Sequence, residues 1–339
     1  MSITVAPVGN SRILSVGTYR PKRVVPNSEI VDRIDSTDEW IVQRTGIESR
    51  RFAGDDETVI SMAKAACEIA LKRAKLTIAD IDTVILSTIS YPFQAPSAAT
   101  ELINELGNPK AAAFDISAAC AGFCYGVAMG SDLVRSGTSK NVLVIGVEKL
   151  SDYTDPDDRA TAFIFADGAG AVVIGQSDQP RIGQTIWGSD ADSRDAITLT
   201  PSFLDFKKNP DKGVTELGWP NISQQGQVVF RWAVYSMSKV GLKALEAAGV
   251  SVDELGAFIP HQANVRIIET MAKEMKIPDS VLIADDIRTN GNTSAASIPL
   301  AMDRILEEHP ELHGKLALLI GYGAGLVYAG QVVELPPKP

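Results

Sequence analysis

Cys120, His261 and Asn292 have the residue types and local settings of a nucleophilic acyl-transfer site. Cys120 stands in Ser117-Ala-Ala-Cys-Ala-Gly-Phe123, where an apolar strand gives way to a helix of small residues. A thiol at such a junction meets unpaired backbone N–H groups and the positive end of a helix, and both favour the nucleophilic thiolate. The flanking alanines and Gly122 leave room for a substrate. Taken alone, Cys120 reads equally well as a small buried core residue. Cys124 lies one turn further on, past the reach of the helix end, and Cys67 sits on an amphipathic segment; both read as core.

The chain has 3 histidines. His261, in Ile259-Pro-His-Gln-Ala-Asn264, ends an apolar strand just before a helix, a common place for a catalytic group, and taken alone it reads equally well as a structural histidine. His309 and His313 fall in the polar segment EEHPELHGK and are expected to be solvated. Asn292 lies in Thr289-Asn-Gly-Asn-Thr-Ser-Ala-Ala-Ser297, which by itself is a capped turn. Gly321-Tyr-Gly-Ala-Gly325 is either a tight turn or a place where backbone N–H groups come close to a reacting oxygen. Asp167-Gly-Ala-Gly170 looks like part of a dinucleotide loop, but it continues into the strand-like AVVIG, which excludes that reading. No Walker motif and no metal-spaced His/Cys cluster is present, so neither a metal nor a redox cofactor is expected.

Apolar strands alternating with amphipathic helices predict an α/β fold. Strands are expected at 83–88 (TVILST), 111–117 (AAAFDIS) and 140–147 (KNVLVIGV), with a helix over 58–74 and another after Cys120 that stops near Gly137. The second half repeats this order. ALKRAKLTIADID at 70 matches ALEAAGVSVDELG at 244, TVILS at 83 matches GAFIP at 256, FDIS at 114 matches DDIR at 285, and VLVIG at 142 matches ALLIG at 317. These offsets stay between 171 and 175 residues. The repeat implies two similar halves, 1–178 and 179–339. Their equivalent strand–helix turns can face each other across a pseudo-twofold axis, which sets Asn292 opposite Cys120. The polar stretch 176–227 is the least regular and is expected to form loops over a site.

The 339 residues are enough for two ordinary domains or one large one. A formal net charge of −10 argues against nucleic acid or an anionic membrane as the main partner. The N-terminal MSITVAPVGNSR lacks the pattern of a secretion signal. The longest uncharged stretch, 316–333, is broken by four glycines and reads as β-strand, not as a membrane helix. Three cysteines make a disulfide framework unlikely, and a reducing cytoplasm is expected.

Cys120 within SAACAGF, His261 within PHQAN and Asn292 within NTSAASIP together resemble β-ketoacyl-acyl carrier protein synthase III, a condensing enzyme of the thiolase fold. The resemblance spans nearly the whole chain. It takes in Asp38-Glu-Trp-Ile41, Arg44-Thr-Gly-Ile47, Asp158-Arg159, the run 163–173 and GYGAGL at 321, and its wording looks most like actinobacterial members. Thiolases carry a second catalytic cysteine towards the C-terminus, whereas here no cysteine follows Cys124. The elongating synthases use two histidines, and Asn292 holds the place of the second.

The resemblance implies duplicated halves in a five-layer αβαβα architecture, a homodimer, and initiation of fatty-acid synthesis from acyl-CoA and malonyl-acyl carrier protein. Cys120 would carry the starter acyl group, with the backbone N–H groups of Cys120 and Ala324 as oxyanion donors worth roughly 3 kcal/mol each. Ala324 stands where many members have glycine. His261 and Asn292 would stabilise the enolate left by loss of CO2. Trp40 and Arg159 would hold the CoA adenine, with Arg44 near its phosphates, and Phe230, Ala263 and Asn264 would line the pantetheine tunnel. Arg266 and Lys273 share a helix face and, with Arg231, would dock the acidic carrier protein. Ala95 would hold the place of a residue that reaches into the partner subunit's acyl pocket, and its small side chain implies starters longer than acetyl.

Three other readings stay open on sequence alone: a Cys-His-Asn hydrolase, a non-catalytic acyl-binding scaffold, and a fold relative that acylates oxygen or nitrogen or serves secondary metabolism.

Overall fold

The structure, a computed structural model, describes residues 8–339. The first seven residues, part of the N-terminal stretch read above and the start of the expected first half, lie outside the described residues. In the first half, β1 (Asn10–Tyr19), β2 (Thr83–Ser87), β3 (Ala112–Ile116), β4 (Asn141–Lys149) and β5 (Asp167–Ser177) form one sheet in the order β3-β2-β4-β5-β1. In the second, β6 (Ile186–Ser189), β7 (Leu255–Pro260), β8 (Leu282–Ile283), β9 (Leu316–Gly323) and β10 (Val327–Glu334) form another in the order β8-β7-β9-β10-β6.

Strand directions match as well: β3, β2 and β4 run parallel and β5 and β1 antiparallel to their neighbours, as do β8, β7 and β9 against β10 and β6. The central strands are buried on both faces, which their unbroken apolar runs require.

Helices fill three layers around these sheets. Helix α1 (Asp38–Thr45) lies near the mouth of the site. Helices α2 (Val59–Ala74) and α3 (Ala98–Leu106) cover the outer face of the first sheet. Helix α4 (Gly122–Arg135) lies between the sheets, and α5 (Gly226–Ala248) and α6 (Val265–Glu274) cover the outer face of the second. Helix α7 (Ser297–Glu308) completes the middle layer. The result is the expected αβαβα stack. Phe123 and Val127 of α4 meet Ile298 and Met302 of α7 in the central core, so each half buries the other's functional helix. Polar ties also cross the halves: Asp303 accepts from Thr18 and pairs with Arg73, and Arg20 Nη2 lies 3.0 Å from Asp286 Oδ1.

The expected helix over 58–74 begins at Val59, capped by the Thr58 and Ser61 side chains. The strand expected around DDIR is different: β8 stops at Ile283, and Ile287–Asn290 forms a helical turn instead. Asp286 causes this locally, because its carboxylate accepts from Arg20 and from Asn290 Nδ2, 2.9 Å away, and folds the chain back. The stretch 176–227 contains β6, a hairpin of Ile197–Thr200 with Asn221–Gln224, and two short helices. His309 and His313, expected to be solvated, are both half-buried, and His313 Nδ1 lies 2.8 Å from the Pro336 carbonyl oxygen. All three cysteines are buried and unpaired. Among the described residues no helix is long and apolar enough to cross a membrane, and 316–333 is a β-hairpin.

Candidate active site

Cys120 lies 141 residues before His261 and 172 before Asn292, in the other half of the sequence, yet all three line one cavity of about 740 Å3. Cys120 sits in a 3-10 turn, Ala119–Ala121, that leads into α4. The residue before it, Ala119, has φ +43, and Ser294, its counterpart at the start of the turn leading into α7, has φ +47. Both are non-glycine residues in the left-handed region, so the same strained elbow occurs in each half beside the cavity. Opposite, β9 ends against the nucleophile. A Cβ on Gly323 would stand 2.8 Å from Cys120 N and 3.0 Å from its Sγ, so only glycine lets the strand approach this closely. Ala324 follows at the cavity wall, which is the close-approach reading of the GYGAG run.

The Cys120 thiol does not rest as the thiolate that its place before a helix leads one to expect. Burial pushes it up to about 12; the nearby Glu148 charge adds to the rise, and Ser294 and the Cys120 backbone N–H only partly offset it. The helix-end effect is worth roughly 2 kcal/mol at most. Desolvation of a buried thiolate outweighs it here.

His261 closes the cavity from the end of β7, buried to 2% exposure, with its backbone N–H donating to the Ile320 carbonyl oxygen of β9. Burial lowers its pKa to about 3, so the ring is neutral at physiological pH. Nδ1 lies 2.7 Å from Ser297 Oγ. That hydroxyl also accepts from the Gln262 N–H at 3.3 Å, and among the described residues Nδ1 is the one acceptor within its reach, so its own proton is directed at Nδ1. The ring proton is thereby assigned to Nε2, as a hydrogen-bond donor. Tyr322 packs edge-on against the ring with centroids 5.2 Å apart and fixes its plane.

Asn292 is oriented by the same logic. Its Oδ1 accepts the Ser294 N–H at 2.9 Å, which leaves Nδ2 as a free donor. Its backbone N–H donates to the Ile164 carbonyl and its carbonyl accepts from Ala166, so an isolated bridge at Phe165 of the first half clamps the second-half turn. The site therefore presents a protected thiol and two neutral N–H donors.

At the mouth, Arg44 stands over the Trp40 ring at 4.4 Å and Arg159 at 5.3 Å, while Phe163 packs edge-on at 5.4 Å. An aromatic face with two guanidinium groups suits a flat base and its phosphates. Phe230, Ala263 and Asn264 line the passage inwards. Asn264 is also the cap of α6: its Oδ1 accepts from Arg266 N at 2.9 Å and its Nδ2 donates to the Arg44 carbonyl at 3.0 Å. Arg231, Arg266 and Lys273 are exposed, and the Arg266 guanidinium lies 5.9 Å from the Phe230 ring. Ala95 is exposed and does not line this chain's own cavity.

Three residues escaped the sequence reading. Ser297 and Ser294 lie within the NTSAASIP motif, where small polar residues read as helix caps. Glu148 ends the apolar run VLVIGVEK, and one carboxylate inside a buried strand was its only signal. Among the described residues no cluster of His, Cys, Asp and Glu is arranged to hold a metal.

Residues 114–191 match the family model of 3-oxoacyl-(acyl-carrier-protein) synthase III, and 245–335 match the model of that family's C-terminal part. The chain is 54% identical over 331 residues to beta-ketoacyl-(acyl-carrier-protein) synthase III 1 of Streptomyces coelicolor, covering 96% of each. It is 49% identical over 324 residues to the mycobacterial beta-ketoacyl-(acyl-carrier-protein) synthase III of Mycobacterium bovis, covering 96% of this chain and 95% of the relative. Among solved structures, the priming β-ketosynthase of the R1128 polyketide biosynthetic pathway superposes with a TM-score of 0.96 at 42% identity, covering all of both chains. The 3-oxoacyl-(acyl-carrier-protein) synthase III of Aquifex aeolicus superposes with a TM-score of 0.87 at 37% identity, over 96% of this chain and 100% of that one.

Proposed function

The chain belongs to the 3-oxoacyl-(acyl-carrier-protein) synthase III family, and from that premise we propose that it condenses a starter acyl-CoA with malonyl-acyl carrier protein, the decarboxylative step that initiates fatty-acid synthesis. The observation that carries the division of labour is the convergence of one buried thiol and two neutral, oriented N–H donors on a single cavity.

Cys120 sulfur attacks the thioester carbon of acyl-CoA, and the C–S bond to CoA breaks. This stores the acyl group as a thioester of similar energy and divides one reaction into two. The oxyanion is held by the backbone N–H groups of Cys120 and Ala324. Malonyl-acyl carrier protein then enters. Loss of CO2 leaves an enolate on its thioester oxygen, where His261 Nε2–H and Asn292 Nδ2–H donate. Neutral donors suit this role, since they stabilise developing charge without first surrendering a proton. The carbanion attacks acyl-Cys120 and releases the 3-ketoacyl product.

Trp40, Arg44 and Arg159 hold the nucleotide end of CoA, and Phe230, Ala263 and Asn264 line the pantetheine passage. Arg231, Arg266 and Lys273 dock the acidic carrier protein. The two duplicated units are 1–178 and 179–339. The protein works in solution as a homodimer without metal or redox cofactor. The dimer is supported by β3, an edge strand of a buried sheet whose outer side has no strand partner among the described residues. In the dimer Ala95 reaches the partner's acyl pocket and leaves it long.

The likeness to a polyketide-priming synthase favours a second reading, in which the same chemistry starts a specialised pathway. Mass spectrometry of the intact protein tests the main one. Incubation with acyl-CoA gives an acyl adduct that is absent in Cys120→Ala, and malonyl-acyl carrier protein discharges it as 3-ketoacyl product. An adduct that only water discharges points to a hydrolase instead, and no adduct points to a binding scaffold. Faster discharge by a polyketide carrier than by a fatty-acid carrier selects the second reading.

A further inference from the structure

Glu148, the last residue but one of β4, is fully buried. Its carboxyl accepts from Ser90 Oγ at 2.6 Å, Ile89 N at 3.1 Å and Thr88 Oγ1 at 3.2 Å. No lysine, arginine or histidine pairs with it among the described residues. The titratable groups that face it are the Cys120 thiol and the Tyr153 hydroxyl. A buried carboxyl surrounded by neutral donors and no cation exchanges a proton at little cost. Burial indeed raises its pKa to about 7.

Glu148 is also placed to communicate with the nucleophile. Two residues earlier on the same strand face, Gly146 lets the turn Ser294–Ala296 press directly onto β4: a Cβ there would stand 2.1 Å from the Ala295 carbonyl oxygen. The turn Ser294–Ala296 thereby packs both on β4 and on the turn Ala119–Ala121 that holds Cys120. The Ser294 hydroxyl influences both Cys120 and Glu148, yet it is buried and completes no hydrogen bond of good geometry with either. An orphaned buried hydroxyl is costly and calls for a reason. The strained φ of Ser294 keeps it there.

Resting on the condensing activity proposed above, we infer that Ser294 and Glu148 form a proton store behind the nucleophile: Ser294 relays the Cys120 proton to the Glu148 carboxylate on acylation and returns it on condensation. In the first step the S–H bond of Cys120 breaks, Ser294 Oγ takes that proton and passes its own to Glu148. The new S–C bond forms as the C–S bond to CoA breaks. CoA sulfur leaves with that electron pair and takes a proton from water. In the second step the carbanion forms the C–C bond, and the electron pair of the Cys120 S–C bond returns to sulfur. Sulfur then recovers its proton from Ser294, and Ser294 from Glu148. The cycle consumes one proton overall, as decarboxylative condensation requires. His261, neutral and already a donor at Nε2, is left out of this traffic.

The store makes acylation alone take up a proton from solvent, whereas direct transfer from Cys120 to CoA takes up none. The full chain is mixed with acetyl-CoA or octanoyl-CoA, whichever acylates faster, in weak buffer at pH 7.5 with an indicator dye. Malonyl substrate is omitted, and the adduct is counted by mass spectrometry. Wild type takes up roughly one-half to one proton per acyl group, given a carboxyl near pH 7 and a thiol product above pH 8. Glu148→Gln and Ser294→Ala lose this uptake and acylate ~10- to 100-fold more slowly near neutral pH, a deficit that closes at high pH. An adduct formed by wild type without uptake overturns the store, and so does unchanged uptake in folded Glu148→Gln. Absence of any adduct overturns the condensing function instead.

Discussion

Ser297 Oγ lies 2.7 Å from His261 Nδ1, and this one contact decides which ring nitrogen faces the substrate. Among the described residues the ring nitrogen is the one acceptor within reach of the hydroxyl, which also accepts from the Gln262 N–H, and so the hydroxyl donates to the ring. The imidazole then presents N–H, not a lone pair, to the cavity.

Ser297→Ala removes that direction and leaves a buried ring nitrogen unpaired. Such a loss costs roughly 1–3 kcal/mol, or about 10- to 100-fold in rate. The expected outcome is slower decarboxylation of malonyl-acyl carrier protein with unchanged acylation of Cys120, read by 14CO2 release and by adduct mass. Equal loss in both steps would show that Ser297 shapes the whole site.

His261→Ala and Asn292→Ala each remove one of the two N–H donors proposed for the enolate, and each is expected to cut decarboxylation by ~10²- to 10³-fold while sparing the acyl adduct. A variant that cannot be acylated at all would reverse the division of roles.

Gly323→Ala tests the close approach of β9. Its φ of −175 is extended backbone, so no strain arises from the residue itself. The new methyl, however, meets Cys120 N, Cβ and Sγ within 3.0 Å. Overpacking of this kind costs roughly 1–3 kcal/mol. Acylation is expected to fall far more than the thermal midpoint does, since the displaced atoms are the reacting ones. Wild-type acylation in this variant refutes the placement.

Burial gives two groups opposite pH signatures. His261 titrates near 3 in the folded chain and near 6.5 when unfolded, so the unfolded state binds the extra proton. Stability is therefore full above pH 6.5 and falls towards pH 3, by up to about 1.4 kcal/mol per pH unit. Glu148 is raised from 4.5 to about 7, so its contribution is present below 4.5 and is lost as pH rises through 7. Urea midpoints should show His261→Gln gaining relative to wild type on acidification from pH 7 to 5, and Glu148→Gln gaining from pH 5 to 8. Parallel curves for all three proteins would contradict both assignments.

Ala95→Phe probes the starter pocket. If Ala95 reaches the partner's pocket, an aromatic side chain shortens it. Turnover with dodecanoyl-CoA and octanoyl-CoA should then fall while acetyl-CoA turnover holds. Strict acetyl preference in the wild type removes the basis for a long pocket.

Much of this architecture was legible in the residues. The apolar runs at 83, 142, 256 and 317 set four central strands, because buried parallel strands need apolar side chains on both faces. The match of FDIS to DDIR misled only where Asp286 found Arg20, a partner 266 residues away. Cys120, His261 and Asn292 stood out because each ends a strand or opens a helix, positions that the repeat placed opposite one another.

Local pattern therefore determined which residues meet. Their protonation it could not determine, since that depends on what lies above and behind each group. The helix end at Cys120 favours thiolate, yet packing by β9 and the Ser294 turn desolvates the sulfur and keeps its proton. Ser297 and Ser294 read as caps because their motif is a turn, and only the docking of α7 beside β7 and of the preceding turn on β4 turns one to His261 and packs the other against the turn that holds Cys120. Desolvation and hydrogen-bond direction are properties of the assembled neighbourhood, and here that neighbourhood is built from both halves of the chain.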